Sequence, residues 1–318
     1  MNVEFWKNKK VLVTGGNGFV GKNLLFKFTS LGIENVYAPS SSEYDLTDQV
    51  QVDSLFGSYQ PDIVIHLAGK VGGIYANKTL PGEFFYKNIT MGTLVLDAAY
   101  RHNSEKVVAL AAGCGYPKDI PVPYSEEDFW KGLPDENTLA YSMAKKNLIV
   151  QSWAYREQYG FNSTILLPAN LYGPHDNFDL KMSHVVPALI RKFIEAVENK
   201  EEVVNVWGTG IATREFLYVE DTVDAIINIA EKCNESGPFN LGTGKETSIT
   251  DLVGEISRLV GFSGDIFWDT TKPDGQLRRF YDMSKFKEAT GYVPSTSLTD
   301  GLKKTILWYR KHNGLLEK

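Results

Sequence analysis

This 318-residue sequence has only two cysteines, no long apolar runs and no excess of positive charge. The two cysteines, Cys114 and Cys233, exclude a disulfide framework and offer no zinc-ligand spacing, so we expect no metal site. No apolar run reaches the roughly 20 residues of a membrane helix. Residues 1–10 lack the pattern of a signal peptide, and a net charge of -6 argues against a nucleic-acid-binding surface. We therefore expect a cytoplasmic protein with no membrane or nucleic-acid partner.

A glycine-rich turn is the first positive signal. Residues 11–14 predict a short buried strand, and an amphipathic helix follows the turn. Between them, Gly15, Gly18 and Gly21 stand three apart, where the backbone must approach a pyrophosphate that rests on the helix N-terminus. A glycine-rich turn before a helix often binds no ligand, but the flanking strand and helix favour a dinucleotide site here. The expected cofactor contacts here are Gly15, Asn17, Gly18, Phe19, Val20 and Gly21.

The next predicted strand, residues 35–38, bears on which dinucleotide is used. A carboxylate near its end usually binds the ribose hydroxyls of NAD. No acid stands there, since Glu43 comes later, and Ser40 and its neighbours offer hydroxyls to a 2′-phosphate. NADP is therefore the expected cofactor, with NAD as the alternative because no arginine is placed to pair with the phosphate. Asp48 either contacts the adenine side or caps the following helix.

Strand, turn and helix alternate four times before residue 170, which predicts an α/β fold with a Rossmann-type doubly wound parallel sheet. Further strands are expected over residues 62–68, 106–112 and 163–169, and a helix from Asn77 to about His102. Ligands collect at the carboxyl ends of such strands. Additional cofactor contacts are therefore expected from Leu67, Ala68, Lys70, Pro168 and Leu171.

The pattern changes after residue 169. Residues 170–178 read as a polar loop, and a short strand is expected over residues 214–219. We predict a dinucleotide-binding domain over residues 1–169, to which residues 215–242 return. Residues 170–214 and 243–318 are expected to form a smaller α/β C-terminal lobe that binds the substrate.

Tyr141 and Lys145 are four residues apart in a predicted helix, which places phenol and ammonium on one face. A lysine cation beside a tyrosine favours the phenolate and is expected to lower the pKa of Tyr141 into a useful range. This spacing also occurs on ordinary amphipathic helices. The upstream glycine turn and alternating strands favour a catalytic pair that acts with the cofactor.

Taken together, these features resemble the extended short-chain dehydrogenase/reductase superfamily, with its NAD-dependent epimerase/dehydratase family, and within it the GDP-L-fucose synthase family. The likeness covers nearly the whole chain. The turn TGGNGFVG (residues 14–21) and the Tyr141/Lys145 pair are shared across the superfamily. More specific segments are KVGGI (70–74) with Asn77, CGYPK (114–118), NLYGPHDNF (170–178), SHVVPALI (183–190), REFLYVED (214–221) and KPDGQLRR (272–279).

The resemblance implies a homodimeric enzyme that reduces the 4-keto group of a GDP-linked sugar with NADPH and epimerises the flanking carbons. Tyr141 would protonate the ketone oxygen and Lys145 would hold the nicotinamide ribose. Cys114 and His184 would be base and acid for epimerisation; the alternatives are a buried thiol and a surface histidine. The implied substrate contacts are Val71, Gly72, Asn170, Asn177, His184, Val185, Lys192, Trp207, Arg214 and Arg279.

One position departs from the family. The serine expected two residues before the cysteine, which would bond the substrate carbonyl, is Ala112 here. Ser142 or another hydroxyl could substitute, a different nucleotide sugar could be the substrate, or the chain could be an engineered or inactive variant. Of these we favour a different nucleotide sugar. The alternative functions are an NAD-retaining redox epimerase or dehydrogenase and a non-catalytic nucleotide-sugar-binding protein.

Overall fold

A computed structural model describes residues 1–180, 182–272 and 274–315. Lys181, Pro273 and residues 316–318, which fall in the predicted C-terminal lobe, lie outside the described residues. The helices are α1 Val3–Trp6, α2 Phe19–Ser30, α3 Gln49–Tyr59, α4 Ile74–Thr79, α5 Pro81–Arg101, α6 Leu139–Tyr159, α7 Val185–Asn199, α8 Val219–Lys232, α9 Ile249–Val260, α10 Ser284–Thr290 and α11 Leu298–His312. The strands are β1 Val11–Thr14, β2 Val36–Tyr37, β3 Ile63–His66, β4 Lys106–Leu110, β5 Ser163–Pro168, β6 Asn170–Tyr172, β7 Val203–Trp207, β8 Thr213–Arg214, β9 Phe216–Tyr218, β10 Phe239–Leu241, β11 Thr247–Ser248, β12 Asp265–Asp269 and β13 Arg278–Arg279.

Within the described ranges, six strands form one parallel sheet in the order β10-β5-β4-β3-β1-β2. β1 and β3 are buried along their whole length, as a parallel sheet covered on both faces requires. The chain order reverses beside β1, because β2 pairs on one side of it and β3 on the other. In open α/β sheets this switch point is where ligands bind, outside the carboxyl ends of the strands. The predicted Rossmann-type fold is confirmed.

Two hydrophobic layers cover the sheet. On one face, α2 and α8 bury side chains such as Phe28 and Ile226 against β1 and β3. On the other face, α3, α5 and α6 bury side chains such as Leu55, Leu96 and Ile149. Each large apolar side chain removed from water contributes roughly 1.5–3 kcal/mol, so these layers hold the ends of the strands firmly.

A third core lies beyond the sheet. It is formed by α7, α9 and α11 with β7 and the aromatic residues Tyr172 and Tyr218. Short pairings connect its strands, in the orders β11-β8-β13, β12-β7 and β6-β9. α8 and β10 belong to the layers of the main sheet, whereas α7, α9 and α11 share this separate core. The boundary after residue 169 and the substrate-binding role of this lobe stay predictions.

Three predicted elements are wrong in detail. The helix expected from Asn77 is two helices, because Pro81 lacks an N–H and begins α5 as a new N-terminus. The expected loop at 170–178 begins with β6, which pairs with β9. The strand expected over 214–219 is interrupted at Glu215, whose side chain is buried. β8 and β9, on either side of it, belong to different sheets.

Candidate active site

The turn after β1 is built from backbone alone. Gly15 has φ +73°, which residues with a side chain rarely adopt, and a Cβ there would lie 2.7 Å from the amide nitrogen of Ala68. The amide of Gly18 donates to the carbonyl of Gly15 at 2.9 Å. A Cβ at Gly21 would collide with the same carbonyl. These glycines therefore let β1, β3 and α2 approach one another at the switch point.

α2 begins at Phe19, directly after this turn, and no side chain caps its first amides. Asn17 and Gly18 are exposed, and Phe19 and Val20 form part of the first helical turn. Unpaired N–H groups and the positive end of the helix dipole favour an anion at this position. The donor set therefore fits the pyrophosphate of a dinucleotide, and the individual contacts stay predictions.

The end of β2 differs from the prediction. Glu43 folds back so that one carboxylate oxygen accepts hydrogen bonds from the amide and the hydroxyl of Ser40, both at 2.7 Å. These bonds hold the pKa of Glu43 below its usual value. The expectation that no acid lies at the end of this strand is therefore wrong. Asp48 caps α3 and accepts from the amide of Val50 at 2.8 Å, which is the capping alternative.

The other predicted cofactor residues lie around the carboxyl edge of the sheet. Leu67 and Ala68 follow β3, Pro168 ends β5 and Leu171 lies in β6. Asn88 clamps the backbone of Lys70: its Oδ1 accepts from the Lys70 amide at 3.1 Å and its Nδ2 donates to the Lys70 carbonyl at 3.0 Å. The loop after β3 is thereby fixed to α5, and it lies next to Lys145, since a Cβ at Gly69 would be 3.2 Å from the Lys145 ammonium.

Tyr141 and Lys145 lie in the first two turns of α6. The ammonium of Lys145 donates to the carbonyl of Leu110, the last residue of β4, at 3.3 Å. Burial lowers the pKa of Lys145 to about 8, while Cys114 favours the cation. Burial raises the pKa of Tyr141, and charge at Cys114 raises it further. The expected lowering of the pKa of Tyr141 by Lys145 is therefore wrong, because desolvation of the phenolate dominates.

A neutral phenol at Tyr141 is suited to donate a proton. The neighbouring His66 does not compete for this role, because it is buried with Nδ1 at 2.8 Å from the hydroxyl of Thr14. Burial, followed by the cation of Lys145, lowers the pKa of His66 to about 3, so its imidazole is neutral. Of His66 and Lys145, which lie close enough to interact electrostatically, Lys145 therefore carries the positive charge.

The predicted acid, His184, reaches the same region through a chain of contacts. Phe84 packs edge-on against Tyr141, with ring centroids 6.1 Å apart, and a Cβ at Gly72 would touch Phe84. The amide of Gly73 donates to the carbonyl of Met182 at 3.2 Å, two residues before His184. His184 is solvent-accessible at the N-cap of α7, and partial desolvation lowers its pKa. The loops that carry Gly72 and His184 thus lie against each other beside Tyr141.

Cys114 follows β4 in a short 3-10 turn, and its thiol is free and partly accessible. Ala112, two residues earlier, presents only a methyl group at the position where the sequence resemblance leads us to expect a serine. The hydroxyl of Ser142 is turned toward Cys114, 3.1 Å from its carbonyl oxygen and 3.2 Å from its Sγ. As the residue next to Tyr141, Ser142 points about 100° around α6 from it. The contact with Cys114 was not predicted from the sequence, because it depends on the loop after β4.

Two arginines are brought together in the C-terminal lobe. β8 and β13 run parallel, with Arg214 opposite Arg279. Burial and the repulsion of Arg279 lower the pKa of Arg214 to about 10. Arg279 donates two hydrogen bonds to Oε1 of Gln276, at 3.1 and 2.9 Å, and Arg214 donates to the carbonyl of Thr213 at 2.7 Å. Among the described residues neither guanidinium forms an ion pair with a carboxylate, so the pair can bind a diphosphate.

The predicted base-stacking tryptophan lies at the end of β7. Trp207 is 66% exposed, and the ammonium groups of Lys192 and Lys272 lie 5.9 and 5.8 Å from its ring. Because the ring is exposed, flat and flanked by two cations, it is better placed to stack on an aromatic base than to pack in a hydrophobic core. The other predicted substrate residues are placed as follows: Val71 and Asn177 are exposed, Val185 begins α7, and the side chain of Asn170 donates to the carbonyl of Glu215 at 3.1 Å.

Glu215 is a residue that sequence reasoning missed, although it lies in the segment REFLYVED. It is 1% exposed, and its carboxylate accepts from the amides of Thr243, Gly244 and Tyr281. Burial raises its pKa, and these hydrogen bonds oppose the rise. Tyr281 in turn holds its hydroxyl against Gly113, where a Cβ would collide with it. The arginine pair and the Cys114 turn are therefore connected through Glu215 and Tyr281.

The described residues contain no group of three or more His, Cys, Asp and Glu side chains arranged to hold a metal. No helix in that part of the chain is long and apolar enough to cross a membrane.

The fold and the site define a class: a dinucleotide-binding α/β protein with a Tyr/Lys pair at the carboxyl edge of its parallel sheet and an arginine pair on two short paired strands. The sequence profile of the NAD dependent epimerase/dehydratase family matches residues 11–242. The chain belongs to this family.

Relatives and solved structures cover almost the whole chain. GDP-L-fucose synthase 1 of Arabidopsis thaliana is 40% identical over 306 residues, which are 96% of this chain and 94% of the relative. A GDP-6-OMe-4-keto-L-xylo-heptose reductase from C. jejuni superposes with a TM-score of 0.90 at 28% identity and covers 98% of this chain and 99% of its own. A GDP-L-fucose synthetase from Naegleria fowleri bound to NADP has a TM-score of 0.89 at 29% identity, over 98% of this chain and 96% of its own.

Proposed function

We propose that this protein is an NADP-dependent nucleotide-sugar oxidoreductase that reduces the 4-keto group of a GDP-linked 6-deoxy hexose or a related sugar and epimerises C3 and C5. The observation that carries the proposal is the placement of Tyr141, Lys145 and Tyr281 around Cys114, since charge at Cys114 acts on all three, together with the link from Tyr281 to the arginine pair. Relatives named as GDP-L-fucose synthases at 34–41% identity support the same reaction class.

Reduction needs a hydride and a proton at the two ends of the ketone. NADPH supplies the hydride when it is bound, and the backbone cradle at Gly15, Gly18 and Gly21 would hold it. Tyr141 gives its phenolic proton to the C4 oxygen as that oxygen becomes an alkoxide, which is a stronger base than the phenolate left behind. The cation of Lys145 stabilises this phenolate. Ala112 contributes no donor to the carbonyl, which costs on the order of 2–4 kcal/mol of stabilisation compared with a serine.

Epimerisation uses the acidity of the carbons that flank the ketone. The thiolate of Cys114 removes a proton from such a carbon, and the electron pair moves to the C4 oxygen as an enolate. His184 returns a proton from its own side of the sugar. Because its pKa is lowered, the imidazolium of His184 is a stronger acid than a free histidine.

The nucleotide would be bound in the C-terminal lobe. Arg214 and Arg279 suit the diphosphate, because two planar guanidinium groups can each donate a pair of hydrogen bonds to its oxygens. Trp207 would stack on the base beside the ammonium of Lys192. The arginines and the Tyr141 site then recognise the two ends of one elongated substrate.

The active form would be a homodimer that works in the cytoplasm. α5 and α6 pack side by side, and they leave Phe85, Tyr86 and Val150 exposed, as expected for helices that pair with a second copy. Both cysteines are free thiols, which suits a reducing compartment. Light scattering of the purified protein measures the mass directly, and a strictly monomeric protein would contradict the dimer.

Incubation with GDP-4-keto-6-deoxy sugars and NADPH in deuterated water tests the proposed reaction. Loss of NADPH with deuterium at C3 and C5 of the product is the expected result. NADPH loss without exchange would leave a simple reductase, and neither signal with any such sugar would refute the proposal. Tyr141→Phe should abolish reduction while NADPH binding, followed by fluorescence, is retained; near-normal reduction by this variant would contradict the role of Tyr141.

A further inference from the structure

We propose that Ser142 is a positioning residue for Cys114, whose hydroxyl donates a hydrogen bond to the sulfur once the thiol has lost its proton. The inference rests on the proposed role of Cys114 as the base. It starts from one buried hydroxyl, that of Ser142, which lies within hydrogen-bonding distance of both the carbonyl oxygen and the sulfur of Cys114, at 3.1 and 3.2 Å.

Ser142 is fully buried, so its hydroxyl must find partners within the protein. Besides the two atoms of Cys114, its neighbour is the hydroxyl of Thr138 at 3.4 Å. A hydroxyl carries a single proton and serves one acceptor well at a time. When Cys114 is a neutral thiol, its carbonyl oxygen is the better acceptor. When Cys114 is a thiolate, the charged sulfur is the better acceptor, and rotation about one bond brings the proton to it.

The surroundings of Cys114 leave a role for such a donor. α6 presents Tyr141 and Lys145 to it, and the segment after β13 presents Tyr281. Both tyrosines are neutral phenols, because burial raises the pKa of each. The ammonium of Lys145 attracts the thiolate but donates to the carbonyl of Leu110. Within the described residues, the hydrogen bond to the Cys114 sulfur comes from Ser142.

The chemical consequence concerns the first step of epimerisation. The thiolate forms an S–H bond as the C–H bond beside the ketone breaks, and the electron pair moves to the C4 oxygen. Ser142 donates a hydrogen bond to the charged sulfur and holds it in place before the transfer. After the transfer its hydroxyl returns to the Cys114 carbonyl. Ser142 therefore serves the base and does not replace the serine that is missing at Ala112.

The test compares Ser142→Ala with Ser152→Ala, a change at another fully buried serine of α6, which is bonded to Ser163 at 2.6 Å. Alkylation by iodoacetamide is followed as a function of pH, with peptide mass spectrometry to separate Cys114 from Cys233. In Ser142→Ala the midpoint of the Cys114 profile should rise by about one pH unit, and alkylation at neutral pH should fall about tenfold. Deuterium exchange into a keto-sugar without NADPH should fall by a similar factor.

The control variant should retain the wild-type midpoint and exchange rate. An unchanged midpoint in Ser142→Ala would overturn the inference, even if exchange falls, because the serine would then be only a packing residue. An equal shift in both variants would also overturn it, since general loosening of α6 would explain it. The alkylation profile needs no sugar. If no keto-sugar exchanges even with the unaltered protein, the epimerisation part of the proposed function fails, and the alkylation profile still decides whether Ser142 acts on Cys114.

Discussion

Replacement of Arg279 by glutamine should have opposite effects on nucleotide binding and on the stability of the free protein. The pKa of Arg214 is lowered from its ordinary value to about 10, which corresponds to a penalty on the order of 3 kcal/mol on its cation. Burial is the largest cause and repulsion from Arg279 the second, so Arg279→Gln should relieve roughly 1 kcal/mol of this penalty. The melting temperature of the free protein should then rise by about 2 °C or stay unchanged.

Binding should change in the other direction. A charge-assisted hydrogen bond contributes roughly 1.5–3 kcal/mol, so the loss of Arg279 should weaken GDP binding about 10- to 100-fold. Isothermal titration calorimetry with GDP measures this directly, and thermal shifts at a fixed GDP concentration should shrink accordingly. Arg278→Gln is the matched control, because Arg278 is exposed on the same strand and pairs with Glu246. Wild-type GDP affinity in Arg279→Gln, or an equal loss in Arg278→Gln, would refute the reasoning.

Two further predictions concern the cofactor and the pH dependence. Glu43→Gln should raise the ratio of kcat/KM for NADPH over NADH several-fold, because the carboxylate held at Ser40 repels a 2′-phosphate. The gain should shrink at high salt, which screens this repulsion. An unchanged ratio at low salt would show that Glu43 moves away from the cofactor. The kcat/KM for reduction should fall as pH rises through about 8, where Lys145 loses the proton that is present below this pH. A profile that stays flat well above pH 8 would contradict a catalytic role for the cation.

Local sequence patterns predicted the parts of the fold and site that depend on local structure. The bounds of β1 and its glycine turn follow from residues that are adjacent in the chain, and Tyr141 and Lys145 share a helical face through their spacing alone. Two features that the prediction missed also have signals in the local sequence. Pro81 marks a helix start, and the turn from Ser40 to Glu43 resembles a capping arrangement in which the acid reaches back.

Other features depend on tertiary packing and could not be predicted from the sequence. The direction of the pKa shift of Tyr141 depends on how much protein surrounds the phenol. The contact between Ser142 and Cys114 joins residues 28 positions apart, through a loop whose path is set by β4 and Tyr281. The pairing of Arg214 with Arg279 requires the register of β8 and β13, two strands of two residues each, and no local pattern in the sequence predicts that these two strands pair.

The position of Glu215 explains how the two ends of the site can be held in a fixed relation. Arg214 precedes it in the chain, and its carboxylate accepts from the amide of Tyr281, two residues after Arg279. Tyr281 then contacts Gly113, the residue before Cys114. A diphosphate bound between the arginines is thus attached, through a few buried contacts, to the turn that carries the proposed base. Such a short and buried connection costs little reorganisation, so binding at the nucleotide end can orient the sugar against Tyr141 and Cys114.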